Sequence, residues 1–408
     1  MSAHNVVKPP RVSRAALARL GQRLGPEARR ALGRAVRTWA RVKRRGGRVV
    51  VATGSGPNLH EGVTTQLAEL VAKGLVDGIL TSSAVVGHEM AGTLERVRRV
   101  DGRRLGLPAQ VLPADGKVEA ALLSPERLDQ ISHRTVIDQD HYRRLISAPG
   151  REIIKVAGNL AYPTGLWVER MARRLLPLAQ SFGLPLEQVA GRGADRLTMI
   201  GACARRGVDC LVTVPQLVGG GQVGLAIGDS LSISARSAAV ARLLASADLI
   251  VESGVALTQE IHDGPFELFT GHGIWPRHEG MFTFSLKDKA LVRIDLDPNI
   301  SRVWQAERGR GAVAESIDKG LPKAASMKVP FRMEMSGFAR LPGSLPILGD
   351  VGVVWPLLAT RVAAALGVKL DFVCYKQATP QGEAVRRFIV DGVAPLDLSA
   401  VIDRLKEA

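Results

Sequence analysis

A histidine and a glutamate stand side by side shortly after an apolar run, and their types could support acid–base chemistry. The run VDGILT (76–81) is typical of a buried strand, and TSSAVVGHEM (81–90) continues from it to His88 and Glu89. An imidazole titrates near neutral pH and can accept a proton, while a carboxylate can hold a cation. We therefore take both as candidate catalytic residues. The alternative is a plain strand-to-helix turn, in which a glutamate in the first helical turn suits the helix dipole.

A second concentration of polar side chains lies between residues 253 and 280, in a stretch with Gly and Pro but little core pattern. Glu260 and Asp263 could anchor an amine, and His262 between them is a further candidate catalytic residue. A metal site, and with it a hydrolase or lyase, is an alternative for this stretch, although the spacing of its histidines fits no common zinc pattern. That alternative uses His262, His272 and His278.

Small residues follow other predicted strands, where the backbone could approach a phosphate-bearing cofactor closely. Gly54, Ser55 and Gly56 follow the strand RVVVAT, and Gly220 and Gly221 belong to the loop LVGGGQVGLAIGDS. A helix that begins after such a turn offers free N–H groups to a phosphate. The spacing is not GxGxxG, so an ordinary turn explains the first loop about as well. The run of glycines in the second predicts a backbone that bends around a ligand or forms a mobile lid.

The elements that must position these residues alternate between strand and helix from residue 48 onward. This alternation predicts an α/β fold with a doubly wound, mainly parallel, Rossmann-type sheet, whose ligands bind beyond the carboxyl ends of the strands. The predicted strands are 48–53, 76–81, 210–215, 248–253, 289–297 and 371–375. The predicted helices are 61–74, one from about 87, 124–132 within an insertion at 101–150, 164–182, 195–206, 235–246 and 353–366.

The net charge of +16 is concentrated at the N-terminus. Residues 1–48 carry fourteen Lys and Arg against one acid, Glu27, which accounts for +13 of the total. Apolar residues recur there at steps of three and four, which predicts amphipathic helices with arginine on the wet face. We interpret the segment as a helical arm packed on the body, at a subunit contact. Nucleic-acid binding, membrane-surface binding and a transit peptide are the alternatives.

Several classes of protein lose support from what the sequence lacks. The three cysteines form no disulfide framework and no CxxC pair, which favours a reducing, cytoplasmic location. No secretory signal and no uninterrupted apolar run of about 18–20 residues is present, so we expect no membrane segment. Neither a GxSxG elbow nor a P-loop occurs.

Five stretches resemble, in the same order, motifs of the deoxyhypusine synthase superfamily. The resemblance covers residues from about 48 to 366. The first stretch is similar to a strand end in which small residues precede two acids, and the second to a Gly-Asn-Leu-x-x-Pro motif. The stretches are VDGILTSSAVVGHEM, residues 158–163 (GNLAYP), residues 215–217 (PQL) with the glycines after them, residues 253–255 (SGV), and residues 349–351 (GDV) leading to 355–358 (WPLL).

The resemblance implies an NAD cofactor and a homo-oligomer, a tetramer or dimer, with sites at subunit contacts. We divide the chain into a basic helical extension (1–47), an NAD-binding α/β domain (48–380) and a C-terminal helical tail (381–408). The residues it assigns to NAD are Gly54, Ser55, Gly56, Thr81, Ser82, Ser83, Asn159, Gly220, Gly221 and Asp350.

One departure changes the expected reaction. The superfamily's catalytic lysine lies shortly before the motif at 349–351, and residues 335–350 here contain no lysine. A lysine amine is what forms the covalent imine with an aminobutyl group, so we expect an enzyme other than a true deoxyhypusine synthase. The first motif also resembles the ornithine-cyclodeaminase-like domain fused to bacterial arginine dihydrolases.

The shared chemistry is hydride transfer to NAD from a carbon bearing nitrogen, which gives an imine. The implied substrate is a small cationic amine, a polyamine or a basic amino acid. His88 would serve as the base, while Glu89, Glu260 and Asp263 would hold the amine. Two alternatives remain open: a metal-assisted hydrolase or lyase, and a non-catalytic regulator that binds nucleic acid through residues 1–48.

Overall fold

The computed structural model describes residues 8–53, 55–92, 97–106, 108–109, 117–122, 152–154, 163–217, 220–254, 289–295 and 344–407. The predicted helix at 124–132 lies outside these residues.

Six parallel strands form the central sheet. Most of their residues are buried and apolar, the pattern expected of strands covered on both faces. They are β1 (Val49–Thr53), β2 (Gly78–Thr81), β6 (Asp209–Val212), β7 (Leu249–Ser253), β8 (Ala290–Asp295) and β9 (Ser344–Leu348). Their spatial order is β6-β2-β1-β7-β8-β9. Counted among these six strands in chain order, this is 3-2-1-4-5-6, the Rossmann order.

A second, three-stranded antiparallel sheet has the order β3-β4-β5. Residues 97–101 pair with 117–121, and residues 152–154 pair with 120–122. The strands are β3 (Val97–Asp101), β4 (Lys117–Leu122) and β5 (Glu152–Ile154).

Helices pack on both faces of the six-stranded sheet, as the alternation predicts. One face packs against the helix Ile233–Ala245, through Val240, Leu243 and Leu244. The other face forms the main hydrophobic core with helices that include Pro26–Arg44, Val63–Ala72, Met199–Arg206 and Val351–Ala365. The helices are α1 (Arg14–Gln22), α2 (Pro26–Arg44), α3 (Ser55–His60), α4 (Val63–Ala72), α5 (Ser83–Met90), α6 (Pro163–Phe182), α7 (Leu186–Gly193), α8 (Met199–Arg206), α9 (Gln222–Ser230), α10 (Ile233–Ala245), α11 (Val351–Ala365), α12 (Pro380–Gly392) and α13 (Leu398–Lys406).

The predicted strand at 371–375 is wrong. These residues have no strand neighbour, because side chains of α4 accept hydrogen bonds from their backbone. Cys374 N donates to Gln66 Oε1 at 2.8 Å, and Asp371 N donates to Glu69 Oε1 at 2.7 Å. A strand neighbour is thereby replaced by two long polar side chains.

The glycine-rich segment is mostly helical rather than a loop. Its second half forms α9, and the helix contains Gly224 and Gly228. A Cβ on Gly224 would lie 1.5 Å from Leu217 O, so a side chain there would collide with the preceding turn. Glycine at position 224 therefore allows α9 to pack closely against the turn that precedes it.

The N-terminal helices belong to the main core. Leu20, Leu32 and Trp39 are buried in the same cluster as β1 and α11. Trp39 Nε1 donates to Leu75 O at 3.1 Å. The boundary at residue 47 stays a prediction, but α1 and α2 supply core side chains and are not a loosely attached arm.

No helix in the described part of the chain combines the length and the apolar character needed to cross a membrane.

Candidate functional site

The strand order reverses between β1 and β7, and the carboxyl ends of these two strands lie side by side. Thr53, the last residue of β1, is in register with Ser253, the last residue of β7. In open α/β sheets, ligands bind in the crevice beyond the strands at this reversal point. The sheet therefore places its expected binding crevice at Thr53, Ser253 and the residues that follow them.

A buried hydrogen-bond network joins the two strand ends. Asn58 of α3 donates through Nδ2 to Ser253 O at 3.1 Å, and Ser253 Oγ donates to Asn58 Oδ1 at 2.6 Å. Trp355 Nε1 of α11 donates to the same Ser253 Oγ at 2.9 Å. The network ties α3 and α11 to the end of β7.

Two threonines at the carboxyl ends of neighbouring strands have side-chain hydroxyls without a hydrogen-bond partner among the described residues. Thr53 ends β1 and Thr81 ends β2, each one position after the register pair Ala52 and Leu80. Both side chains are fully buried, and neither Oγ1 has a hydrogen-bond partner among the described residues. Because aligned residues of parallel strands point to the same face, the two hydroxyls lie on one face of the sheet. Buried hydroxyls are normally satisfied, so this pair marks a place where a ligand's polar atoms could bind.

A third unpartnered hydroxyl lies on the other face. Thr213 directly follows β6, and its Oγ1 is also buried without a partner among the described residues. Val212 is in register with Thr81, so Thr213 is one position out of phase with Thr81. A buried threonine whose hydroxyl lacks a described hydrogen-bond partner therefore occurs on each face of the sheet.

Ser82 and Ser83 have local partners in the structure. Ser82 is the N-cap of α5, and its Oγ accepts from Val85 N at 3.2 Å. Ser83 Oγ lies 2.6 Å from Gln216 O and 2.7 Å from Leu217 O, acceptors in the turn after β6. The helix-capping alternative is thus realised in the structure. A cofactor role for the same two residues stays a prediction and would depend on their backbone.

Gly220 packs directly on this turn. A Cβ at Gly220 would lie 2.6 Å from Ser83 Oγ, so only glycine allows the two segments to approach this closely. Gly221, which precedes α9, has a positive φ of 58°. The predicted cofactor residues Ser83 and Gly220 are therefore brought together.

Glu89 is fully buried and faces the start of α8. Its Oε1 accepts from Met199 N at 2.9 Å, and its Oε2 accepts from Ile200 N at 3.0 Å. Desolvation raises the pKa of Glu89 to about 7, while the two backbone hydrogen bonds act in the lowering direction. The carboxyl group thus anchors α5 to α8 and titrates near neutral pH. His88, the preceding residue on α5, is also buried.

Asp350 lies in an ionic cluster that the sequence did not predict. Its Oδ1 accepts from Gly352 N at 2.9 Å as the N-cap of α11, and its Oδ2 pairs with Lys376. Lys376 Nζ also lies 3.7 Å from Glu61 Oε1, in the turn between α3 and α4. Burial raises the pKa of Glu61 and the Asp350 charge adds to this, while the hydrogen bond from Gln377 N and the Lys376 charge oppose it.

No sequence signal connects Glu61 with Lys376. Glu61 belongs to the glycine-containing stretch after β1, and Lys376 follows the segment mistaken for a strand. More than three hundred residues separate them, and only the fold brings them together.

Several predicted residues lie outside the described residues, or have side chains that are not described. Outside are Gly54, Asn159, Glu260, His262, Asp263, His272 and His278. Ser55 and Gly56 belong to α3, and only their backbone is described. The structure therefore leaves the amine-binding and metal-binding predictions for 253–280 as predictions. Within the described ranges, no group of three or more His, Cys, Asp or Glu side chains could hold a metal ion.

Comparison with known proteins identifies no family. No family model and no curated protein sequence matches the chain. Among solved structures, ArgZ, an arginine dihydrolase from the ornithine–ammonia cycle in cyanobacteria, is similar over 86% of this chain at 13% identity, with a TM-score of 0.37. A ternary complex of AgrE with ornithine and NAD+ is similar over 85% of this chain at 14% identity, with the same TM-score of 0.37.

A LOR/SDH protein from Methanococcus maripaludis S2 is similar over 90% of this chain and 73% of its own, at 9% identity and a TM-score of 0.37. The chain spans only about a third of the ArgZ and AgrE chains, 32% and 34% respectively. TM-scores this low do not by themselves establish a shared fold or a shared function.

Proposed function

We propose that this chain is an NAD-dependent enzyme that acts on an amine-bearing cationic substrate, a polyamine or a basic amino acid. The observation that carries the proposal is the pair of buried, unpartnered hydroxyls of Thr53 and Thr81 beside the reversal point of the sheet. A hydroxyl buried without a hydrogen bond costs roughly 1–3 kcal/mol, so a ligand that satisfies it recovers that energy on binding. The strand ends are buried and carry short side chains, so they suit a flat cofactor with polar groups along its rim.

NAD bound at this edge would accept a hydride from the carbon that carries the substrate's nitrogen. The protein's first contribution is to hold the backbone segments around the site in fixed positions. Ser83 and Gly220 hold the start of α5 and the segment after β6 in close contact, and the network of Asn58, Ser253 and Trp355 fixes α3 beside the end of β7. These contacts hold the strand ends that carry the Thr53 and Thr81 hydroxyls in place, and because both hydroxyls are fully buried, a cofactor reaches them only when the covering residues move aside.

His88 is the residue we assign to proton transfer. It occupies the last turn of α5, the helix that follows β2. Glu89 holds this helix against α8 through two backbone hydrogen bonds, so it positions the neighbouring His88 rather than contacting substrate. In this proposal the His88 imidazole removes a proton from the substrate ammonium and so prepares the amine for oxidation.

The anchor for the substrate's positive charge is assigned to Glu260 and Asp263, on sequence grounds. Asp350 and Glu61 are less suited to that role, because both carboxylates already lie beside Lys376, whose single positive charge offsets part of theirs. Asp350 instead stabilises the start of α11, the helix whose Trp355 contacts the site.

Isothermal titration calorimetry with NAD tests the proposal on the full chain. We expect micromolar or tighter binding, weakened at least about tenfold when Thr53 and Thr81 are both changed to valine, since two hydrogen bonds worth about 1 kcal/mol each would be lost. Thr213→Val is the matched control, because its hydroxyl is equally buried and unpartnered but lies on the other face. Absence of heat and of a thermal shift with NAD would refute the proposal, and equal weakening by the control would refute the assigned residues.

A further inference from the structure

Four arginines form a continuous stripe along the outer face of α2. Arg30, Arg34, Arg37 and Arg41 recur at steps of four, three and four, and all four are exposed. At about 100° of rotation per residue they fall within an arc of roughly 60°, and they span about 16 Å along the helix axis. The opposite side of the same helix is buried in the main core through Ala28, Ala31, Leu32, Ala35 and Trp39.

The stripe has no counter-charge within the described part of the chain. No hydrogen bond or ion pair joins any of the four guanidinium groups to another described residue, and the ion pair that α2 does form uses Lys43 and Asp77. Glu27 is the one acid among residues 1–48. The inward face of α2 therefore contributes to the core. The outward face carries a concentration of positive charge that makes no described contact within the fold.

We propose that this stripe binds the phosphate backbone of double-stranded nucleic acid, independently of base sequence. Guanidinium groups match phosphate oxygens in geometry and charge, and a straight row of them can follow one strand of a duplex. Sequence preference is not expected, because a row of guanidinium groups bound to phosphates makes contacts that are the same for every base sequence.

A second copy of this chain does not fit the surface. A two-fold contact through α2 would bring the two stripes together with like charge. The rest of the chain, from residue 49 onward, carries the remaining +3 of the net +16, so it offers no excess of acid to receive the stripe.

An anionic membrane fits less well than a duplex. Helices that lie on membranes insert large apolar side chains beside their basic face. The exposed large apolar residues of the described chain lie outside α2; they are Val12, Phe182, Leu225, Ile233 and Ile402.

Fluorescence anisotropy with a labelled 24-base-pair duplex tests the proposal on the full chain across a series of salt concentrations. The test variant is Arg30→Gln, Arg34→Gln, Arg37→Gln and Arg41→Gln together, which keeps good helix formers in α2. The control removes the same charge from exposed arginines on other helices: Arg170→Gln, Arg174→Gln, Arg242→Gln and Arg387→Gln. Circular dichroism and thermal unfolding verify that both variants are folded.

We expect the stripe variant to bind at least about tenfold more weakly at low salt, and the slope of log affinity against log salt to fall by about one unit per arginine. The control should bind nearly as the parent chain does, and two duplexes of unrelated sequence should bind alike. Any of three results would overturn the proposal: no duplex binding at low salt, equal weakening by the control, or more than tenfold preference for one duplex. Loss of binding to phosphatidylserine vesicles in the stripe variant, with duplex binding unchanged, would assign the surface to membranes instead.

Discussion

The ring of Trp39 stands edge-on to the ring of Trp355, with centroids 6.5 Å apart and planes at 88°. Trp355 Nε1 in turn donates to Ser253 Oγ at the end of β7. Two aromatic rings thus connect the basic N-terminal helix to the strand end where the sheet order reverses. The concentration of charge in residues 1–48 suggests a separable arm, but the packing makes α2 a support of the candidate site.

Removal of residues 1–44 is therefore expected to destabilise the whole protein. The deletion exposes the core beneath α2, and Trp39→Ala alone should lower the free energy of unfolding by about 3–5 kcal/mol through the cavity it leaves. Urea unfolding measures both effects. Arg34→Gln is the control on the outer face of the same helix, where we expect a change within about 0.5 kcal/mol. Cooperative unfolding of the truncated chain at the parent midpoint would show that the arm is separable.

The sequence predicted the sheet well because its strands carry a local signal. Val49–Thr53 and Leu249–Ser253 each begin with three buried apolar residues and end in a small hydroxyl residue, and each became a strand of the parallel sheet. Residues 371–375 carry a similar apolar signal, but their backbone donates to Gln66 and Glu69. Partners from distant side chains leave no trace in a local pattern.

The sequence predicted the location of the candidate site better than it predicted the hydrogen-bond partners of the site's residues. Strand ends identified the crevice, since the fold places carboxyl ends of parallel strands at one edge. The role of Glu89 was not visible, because its partners Met199 and Ile200 lie more than a hundred residues away. The glycine at 224 suggested a loop by composition, whereas its contact with Leu217 O explains it as close packing in a helix.

The buried carboxyl of Glu89 should make stability depend on pH in a defined direction. Its pKa rises from 4.5 to about 7 on folding, so the folded state binds the proton more tightly than the unfolded state. The contribution is fully present below about pH 4.5 and is lost as the pH rises to about 7, a change on the order of 3 kcal/mol. Urea unfolding between pH 4.5 and 8 measures it.

Glu89→Gln tests the origin of that dependence. The variant removes the titrating group, so this component of the pH dependence should vanish, while one backbone amide of α8 loses its acceptor and stability at low pH falls by about 1–3 kcal/mol. Glu27→Gln, an exposed change in the first turn of α2, should leave the pH dependence as it is. An unchanged pH profile in Glu89→Gln would contradict the assignment.

The unpartnered threonines should reveal themselves in the ligand-free protein as well. Thr53→Val and Thr81→Val replace a buried hydroxyl that lacks a partner with a methyl group, so each should raise the free energy of unfolding by about 1 kcal/mol. Thr198 is the control: it is equally buried, but its Oγ1 accepts from Gly201 N at 3.0 Å as the N-cap of α8. Thr198→Val should lower stability by about 1–2 kcal/mol. Losses at Thr53 and Thr81 as large as that at Thr198 would mean that their hydroxyls are already satisfied.

Gly224 and Gly228 offer a matched test of the glycine-rich segment, since both lie in α9. A Cβ at 224 would fall 1.5 Å from Leu217 O and 3.0 Å from Ser83 Oγ, whereas a Cβ at 228 would meet only Leu217 Cδ1 at 3.7 Å. Gly224→Ala should therefore cost about 3 kcal/mol or more through overpacking against the turn after β6. Gly228→Ala should instead raise stability by up to about 1 kcal/mol, because alanine is the better helix former. Thermal and urea unfolding compare the two. If both substitutions were tolerated equally, the segment would be adaptable enough to act as the lid that its composition suggests.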